Sequence, residues 1–136
     1  MNDLFSDERP IDHVAIAVRS LDDACRLYKR VSGNKCSEPE TLDAQGVRVA
    51  FSGSVELLEP LAPDTSVGRF LARRGPGLHH IAYRTDDLRA DLARLRAEGF
   101  RLIDEEPRRG AGGHLVAFLH PEGTGGVLVE LVQRDG

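Results

Sequence analysis

Apolar residues alternate with polar or small ones in several short stretches of the chain and recur at helical spacing between them. Ile11 to Val18 reads as a half-buried strand with two unlike faces: His13, Ala15 and Ala17 on one, Val14, Ile16 and Val18 on the other. The bulky face is expected to pack on a helix, leaving the histidine and the small residues opposite. Ser20, Asp22 or Asp23 can cap that helix, which carries Ala24, Leu27, Tyr28 and Val31 as its apolar positions and stops at Gly33. Residues 34–45 are mixed and polar, with room for a short strand. Val47–Phe51 and Val55–Glu59 then read as strands joined by Ser52-Gly53-Ser54, short enough for a hairpin, and Pro60 and Pro63 close the unit.

A linker helix follows, capped by Thr65 or Ser66, with Val67, Phe70 and Leu71 on its apolar face and a stop at Arg73-Arg74-Gly75-Pro76. The first pattern then returns. Leu78–Arg84 is a strand, and Thr85 or Asp86 begins a helix with Leu88, Leu92 and Leu95 on one side and its end at Gly99. Phe100–Ile103 is expected as a short strand and 104–113 as a charged loop. His114–His120 and Val127–Gln133 are expected as the last two strands.

The repetition extends to individual residues. Ile11-Asp12-His13-Val14-Ala15 is echoed by Leu78-His79-His80-Ile81-Ala82, and Val55-Glu56-Leu57-Leu58 by Val129-Glu130-Leu131-Val132. The chain therefore reads as a duplicated unit of strand, helix and up to three strands: module one over 11–62, a linker helix over 63–76 and module two over 77–134. Two such βαβββ modules can pair edge to edge into a curved, open, barrel-like sheet with helices outside, an α+β fold within one domain. A pseudo-twofold axis between them would bring equivalent side chains to a common point on the concave face.

With 136 residues the chain can bury roughly two thirds of its unfolded surface and needs no disulfide to fold. The net charge of −4 gives no reason to expect nucleic acid or an anionic membrane as a partner. Cys25 and Cys36 form no metal-type pair and read as reduced thiols. The polar, acidic arm Met1–Pro10 reads as loose and has no apolar run of signal-peptide length, so cytoplasm is the expected location.

Candidate chemistry lies in the repeat. Glu130 shares its strand face with Leu128 and Val132, and Glu56 sits between Val55 and Leu57-Leu58. A carboxylate in so apolar a strand is costly to bury unless it is paired or bound to a metal. A lone strand histidine or glutamate is commonplace; two of each at equivalent positions are not. His13, Glu56, His80 and Glu130 are therefore the expected ligands of one divalent cation, a set that leaves up to two of six positions open for a substrate. Adjacency to His80 should turn His79 to the other face, so it is not expected to ligate. His114 and His120 lie at strand ends, suited to packing or to the mouth of a cavity. Arg108-Arg109 and the glycines that follow could meet phosphates or form a solvated loop.

Several stretches resemble the methylmalonyl-CoA epimerase family of the vicinal-oxygen-chelate (glyoxalase-like) superfamily. They are Ile11–Ala15, Glu56–Leu61, Gly77–Ala82, Asp104–Pro107, His120-Pro121 and Gly126–Leu131. The resemblance implies paired βαβββ modules, a homodimer and an acyl-CoA substrate. It also implies a divalent metal on His13, Glu56, His80 and Glu130, cobalt first, with zinc, manganese or nickel also suited. The implied reaction interconverts 2R- and 2S-methylmalonyl-CoA through an enolate, with Glu130 and Glu56 as the acid–base pair. Two features depart from the family: Val49 stands where some relatives carry a glutamate and Glu56 where those carry a glutamine, and the Ser52–Ser54 turn is short. The competing readings are a glyoxalase-type isomerase acting on a glutathione hemithioacetal and a metal-free, drug-sequestering module on the same fold.

Overall fold

A computed structural model describes residues 8–134 of the chain. The expected loose arm lies outside the described residues as far as residue 7. Its last part is anchored: the Arg9 guanidinium donates to both carboxylate oxygens of Asp91, and the Pro10 carbonyl accepts from the Arg84 amide.

The first half runs β1 (Ile11–Ala17), α1 (Leu21–Ser32), β2 (Glu40–Leu42), β3 (Val47–Ser52) and β4 (Val55–Pro60). After α2 (Ser66–Arg74) come β5 (Gly77–Arg84), α3 (Leu88–Ala97), β6 (Arg108–Arg109), β7 (Leu115–Leu119) and β8 (Val129–Gln133). All eight strands form one mixed sheet in the order β2-β3-β4-β1-β5-β8-β7-β6. Read outward from the centre, each half has the same order and sense: β1 pairs parallel with β4 and β5 parallel with β8, while β1 and β5 join antiparallel at the seam. The expected α+β architecture of paired βαβββ units is the one observed.

The same device fixes each outer helix. Ser20 caps α1 and Asp87 caps α3. The first helical amide, Leu21 or Leu88, donates to a side chain at the end of the last strand of its own half, Glu59 or Gln133, at 2.8 Å in both. Leu21 and Leu88 are fully buried. Val18, Leu21, Ala24, Ala50 and Leu57 pack beneath α1 with Ile16 and Tyr28 beside them, and Leu88, Leu92, Leu95, Ala117, Leu119 and Leu131 form the core under α3. The linker helix packs Val67, Phe70 and Leu71 onto Ala15, Ala17, Val47, Val49 and Leu58.

The two sheet margins curl toward each other. The Gly112 amide, beyond β6, donates to the Glu40 carboxylate of β2 at 2.9 Å, and the Gln45 amide reaches the Arg109 carbonyl. Between them the sheet encloses an open cavity of about 990 Å³.

Several local expectations are corrected. Leu27 and Val31 are exposed, because α1 turns Leu21, Ala24 and Tyr28 inward instead. The second outer helix starts at Leu88, later than Thr85 or Asp86, because Thr85 forms a turn by accepting from the Asp87 amide. Phe100–Ile103 makes only a single bridge, Leu102 to Leu119. Arg108-Arg109, expected in a loop, pair with β7 as a short edge strand. Cys25 and Cys36, expected as free thiols, are joined in a disulfide. The chain reverses at Gly33, where φ is +80°, and Cys36 then bridges to Ser52 beside α1, which brings the two Cα atoms to 5.7 Å. None of the described helices is long and apolar enough to cross a membrane.

Candidate metal centre

The four expected ligands come from the four central strands: His13 from β1, Glu56 from β4, His80 from β5 and Glu130 from β8. Their convergence follows from register. One cross-strand row reads Phe51, Glu56, Ala15, His80; the other reads His13, Ala82, Glu130, Phe118. In each row an alanine with no exposed surface separates a histidine from a glutamate. Its lone methyl leaves the space above it to the two longer side chains. Phe51 closes one end edge-on against His13, and Phe118 closes the other edge-on against His80.

All four ligand candidates are buried, and one donor atom from each lies within 4.8 Å of the other three. Nε2 of His13 is 3.1 Å from Oε1 of Glu130 and 3.2 Å from Oε1 of Glu56; Nε2 of His80 is 3.2 Å and 3.7 Å from the same two oxygens. These contacts lack hydrogen-bond alignment. Nε2 of His13, Nε2 of His80 and Oε1 of Glu130 are buried with no hydrogen-bond partner. Orphaned buried polar atoms are costly. Metal–ligand bonds of about 2.0–2.2 Å place neighbouring donors about 3 Å apart, which is the spacing seen. The donor set and its orphaned atoms fit an intermediate divalent cation.

The electrostatics carry the strain of this crowding. Burial alone would lower the pKa of His13, but Glu130, Glu56 and Asp12 around it outweigh that and hold it at about 10 in the metal-free protein. Burial would raise that of Glu130, yet His13 and His80 bring it down to about 2.

The sequence pattern did not reveal the partners behind the two imidazoles. At the seam β1 and β5 each carry a register shift, and the extra residue is Asp12 in β1 and His79 in β5. Each directly precedes one of the two histidine candidates. The bulge removes the alternation that would send neighbours to opposite faces. Oδ2 of Asp12 therefore accepts from Nδ1 of His13 at 2.7 Å, which leaves Nε2 facing the centre. Arg84 and Arg134 also donate to Asp12, whose side chain is completely buried. Burial acts to raise its pKa, but these hydrogen bonds hold the carboxyl well below the usual range. His79 is not in the four-residue cluster, but it does not turn away as strict alternation predicts: its Nδ1 is 2.8 Å from Nδ1 of His80. Burial, then the proximity of His80, lowers its pKa to about 4.

His114 lines the cavity and meets Arg134, whereas His120 caps a turn by accepting from the Glu122 amide. Arg108 also lines the cavity, its guanidinium over the Phe118 ring. Val49 is buried in the core beside Ala15 and Leu58.

The chain is similar to known proteins over most of its length. The profile of the Glyoxalase/Bleomycin resistance protein/Dioxygenase superfamily matches residues 12–118. YqjC of Bacillus subtilis, an uncharacterized protein, is 45% identical over 93% of each chain. The mitochondrial methylmalonyl-CoA epimerase of Homo sapiens is 41% identical over 90% of this chain and 73% of its own length. A solved variant of Streptomyces coelicolor methylmalonyl-CoA epimerase in complex with 2-nitronate-propionyl-CoA superposes with a TM-score of 0.89 at 39% identity, covering 93% of this chain and 95% of the other.

Proposed function

The chain belongs to the glyoxalase/bleomycin resistance protein/dioxygenase superfamily, and on that premise we propose that it is a metal-dependent epimerase interconverting 2R- and 2S-methylmalonyl-CoA. The observation that carries this reading is the buried convergence of His13, Glu56, His80 and Glu130 with three polar atoms left unpartnered. Similarity at about this level to proteins named as methylmalonyl-CoA epimerases supports the substrate.

His13, His80, Glu56 and Glu130 would hold the cation, with cobalt the first choice and zinc, manganese or nickel suited to the same donors. Once bound, it supplies Lewis-acid stabilisation of the negative charge that grows on the thioester oxygen. The residues of the chain do the rest. One carboxylate of the Glu56/Glu130 pair removes the C2 proton: the C–H bond breaks and its electron pair moves through the new C=C bond onto the thioester oxygen. The other returns a proton to C2 from the opposite face, and the configuration inverts. A base and an acid so placed are worth about 10²–10⁴-fold each. A carboxylate engaged with a cation is a weaker base than a free one, so one of the pair would have to leave the cation to serve as the base. Phe51 and Phe118 keep water from the flanks of the imidazoles, and Arg108 on the cavity wall suits the anionic part of an acyl-CoA.

We also read the protein as a homodimer. Leu78 and Val127 are exposed and line one cleft with Val14 and Ile81, an apolar surface that a second copy would cover. The test of function is incubation of 2R-methylmalonyl-CoA in deuterated water. Formation of the 2S form with deuterium at C2 is expected. Conversion without solvent deuterium, or no conversion by the metal-loaded protein, overturns the reading.

A further inference from the structure

The two histidine candidates are supported differently, although the fold treats their positions alike. Both follow a bulge residue at the β1–β5 seam. Behind His13 that residue is the carboxylate of Asp12; behind His80 it is a second imidazole, His79. A histidine that presents Nε2 to a metal carries its proton on Nδ1 and donates it to an outer partner. The atom in place to receive that proton is Nδ1 of His79, 2.8 Å away. We propose that His79 is a positioning residue: its Nδ1 lone pair accepts the Nδ1–H of His80, fixing the tautomer and the ring orientation that turn Nε2 of His80 to the metal. The inference rests on the metal reading above and extends it to a residue outside the ligand set.

Three features make the contact more than proximity. The bulge is what brings His79 to the side of His80, since an unbroken strand would separate the two. The His79 ring is itself held, edge-on against Phe70 of the linker helix at 5.0 Å. Its counterpart Asp12 occupies the same place in the other half and meets the same ring atom, Nδ1. The arrangement also dictates the proton on His79. Its Nδ1 must be bare and its Nε2 must carry the hydrogen, because two facing N–H groups would repel.

Packing and positioning make opposite demands on a replacement. His79→Phe keeps the ring against Phe70 but removes the acceptor; His79→Asn loses the ring but keeps an acceptor near Nδ1. Cobalt(II) is titrated into the metal-free full chain, with affinity measured by chelator competition and geometry by the visible d–d absorption. Wild type, H79N, H79F and H80A are compared. Positioning predicts that H79F binds cobalt 10–100-fold more weakly with an altered d–d spectrum, while H79N stays within a few-fold of wild type. Equal binding by wild type and H79F, or a loss confined to H79N, overturns the inference and leaves the metal reading standing. Wild type that binds no cobalt, or H80A that binds as well as wild type, overturns the metal reading and this inference together. ¹⁵N spectra of the imidazoles in the zinc-loaded wild type need no variant. Protonated Nδ1 on His80 with bare Nδ1 on His79 supports the inference, and the reverse pattern sinks it.

Discussion

Asp12 and His13 are neighbours in a strand, yet the Asp12 carboxylate lies 2.7 Å from Nδ1 of the His13 ring and on the same side of the sheet. One extra residue in the register achieves this. Because Asp12 also holds Arg84 and Arg134, it ties the first strand to the far end of the chain at the point where the metal candidate is oriented.

Asp12→Asn should therefore act on the centre without replacing any of the four candidate ligands. The neutral amide can present its NH₂ to His13 and favour the wrong tautomer. Cobalt affinity is expected to fall about 10–100-fold, read by chelator competition. An unchanged dissociation constant would leave Asp12 a role in packing alone.

The alanines between the ligands lead to a second expectation. Ala82 has no exposed surface and lies between His13 and Glu130 in register, as Ala15 lies between Glu56 and His80. Ala82→Leu places a branched side chain in the space where the donors meet. Overpacking costs about 1–3 kcal/mol of stability, seen as a lower urea midpoint, and cobalt binding should vanish. A variant that folds and still takes up one cobalt per chain would mean that the site lies elsewhere.

The carboxylates should separate binding from chemistry. Glu56→Gln keeps an oxygen donor, so cobalt binding should stay within about tenfold while turnover drops about 10²–10⁴-fold. With one base of a pair removed, the remaining one can still exchange the α-proton of the epimer whose hydrogen faces it. Deuterium should thus wash into one epimer without inversion. If the Glu56→Gln variant converts substrate at the wild-type rate, Glu56 is not half of the pair.

Stability against acid provides a fourth test, distant from the centre. Burial works to raise the pKa of Asp91, but hydrogen bonds from Arg9 and Thr85 outweigh it and lower the folded value below 3.8. A carboxyl whose pKa falls on folding contributes stability that is complete above its unfolded value and disappears as the pH drops through the folded one. Arg9→Ala should destabilise by about 1–3 kcal/mol at neutral pH, since it leaves a buried carboxylate short of a partner. The difference from wild type should shrink as the pH falls below 3.8, in urea melts across that range. A pH-independent difference would show that Arg9 acts by packing.

Much of this was legible in the sequence. Alternation located six of the strands, caps and glycines bounded α1 and α2, and the repeat of His and Glu singled out the four residues that the fold brings together. What escaped was whatever depends on a break in regular geometry. His79 looked turned away because strict alternation says so, and the bulge that reverses this leaves no mark in composition. The Cys25–Cys36 bond depends on a chain reversal after Gly33 that spacing alone does not report. Arg108-Arg109 form an edge strand only because β7 offers them a partner, a tertiary cause that outweighs local preference.

The curl that joins Glu40 to Gly112 also governs how the protein behaves in a crowd. A flat eight-stranded sheet would end in two open rows of amides and carbonyls, templates on which a neighbouring chain could add a strand. Here the outermost strands are only three and two residues long, and their margins are occupied with each other. The curvature that makes room for a substrate thereby also denies a foothold to aggregation.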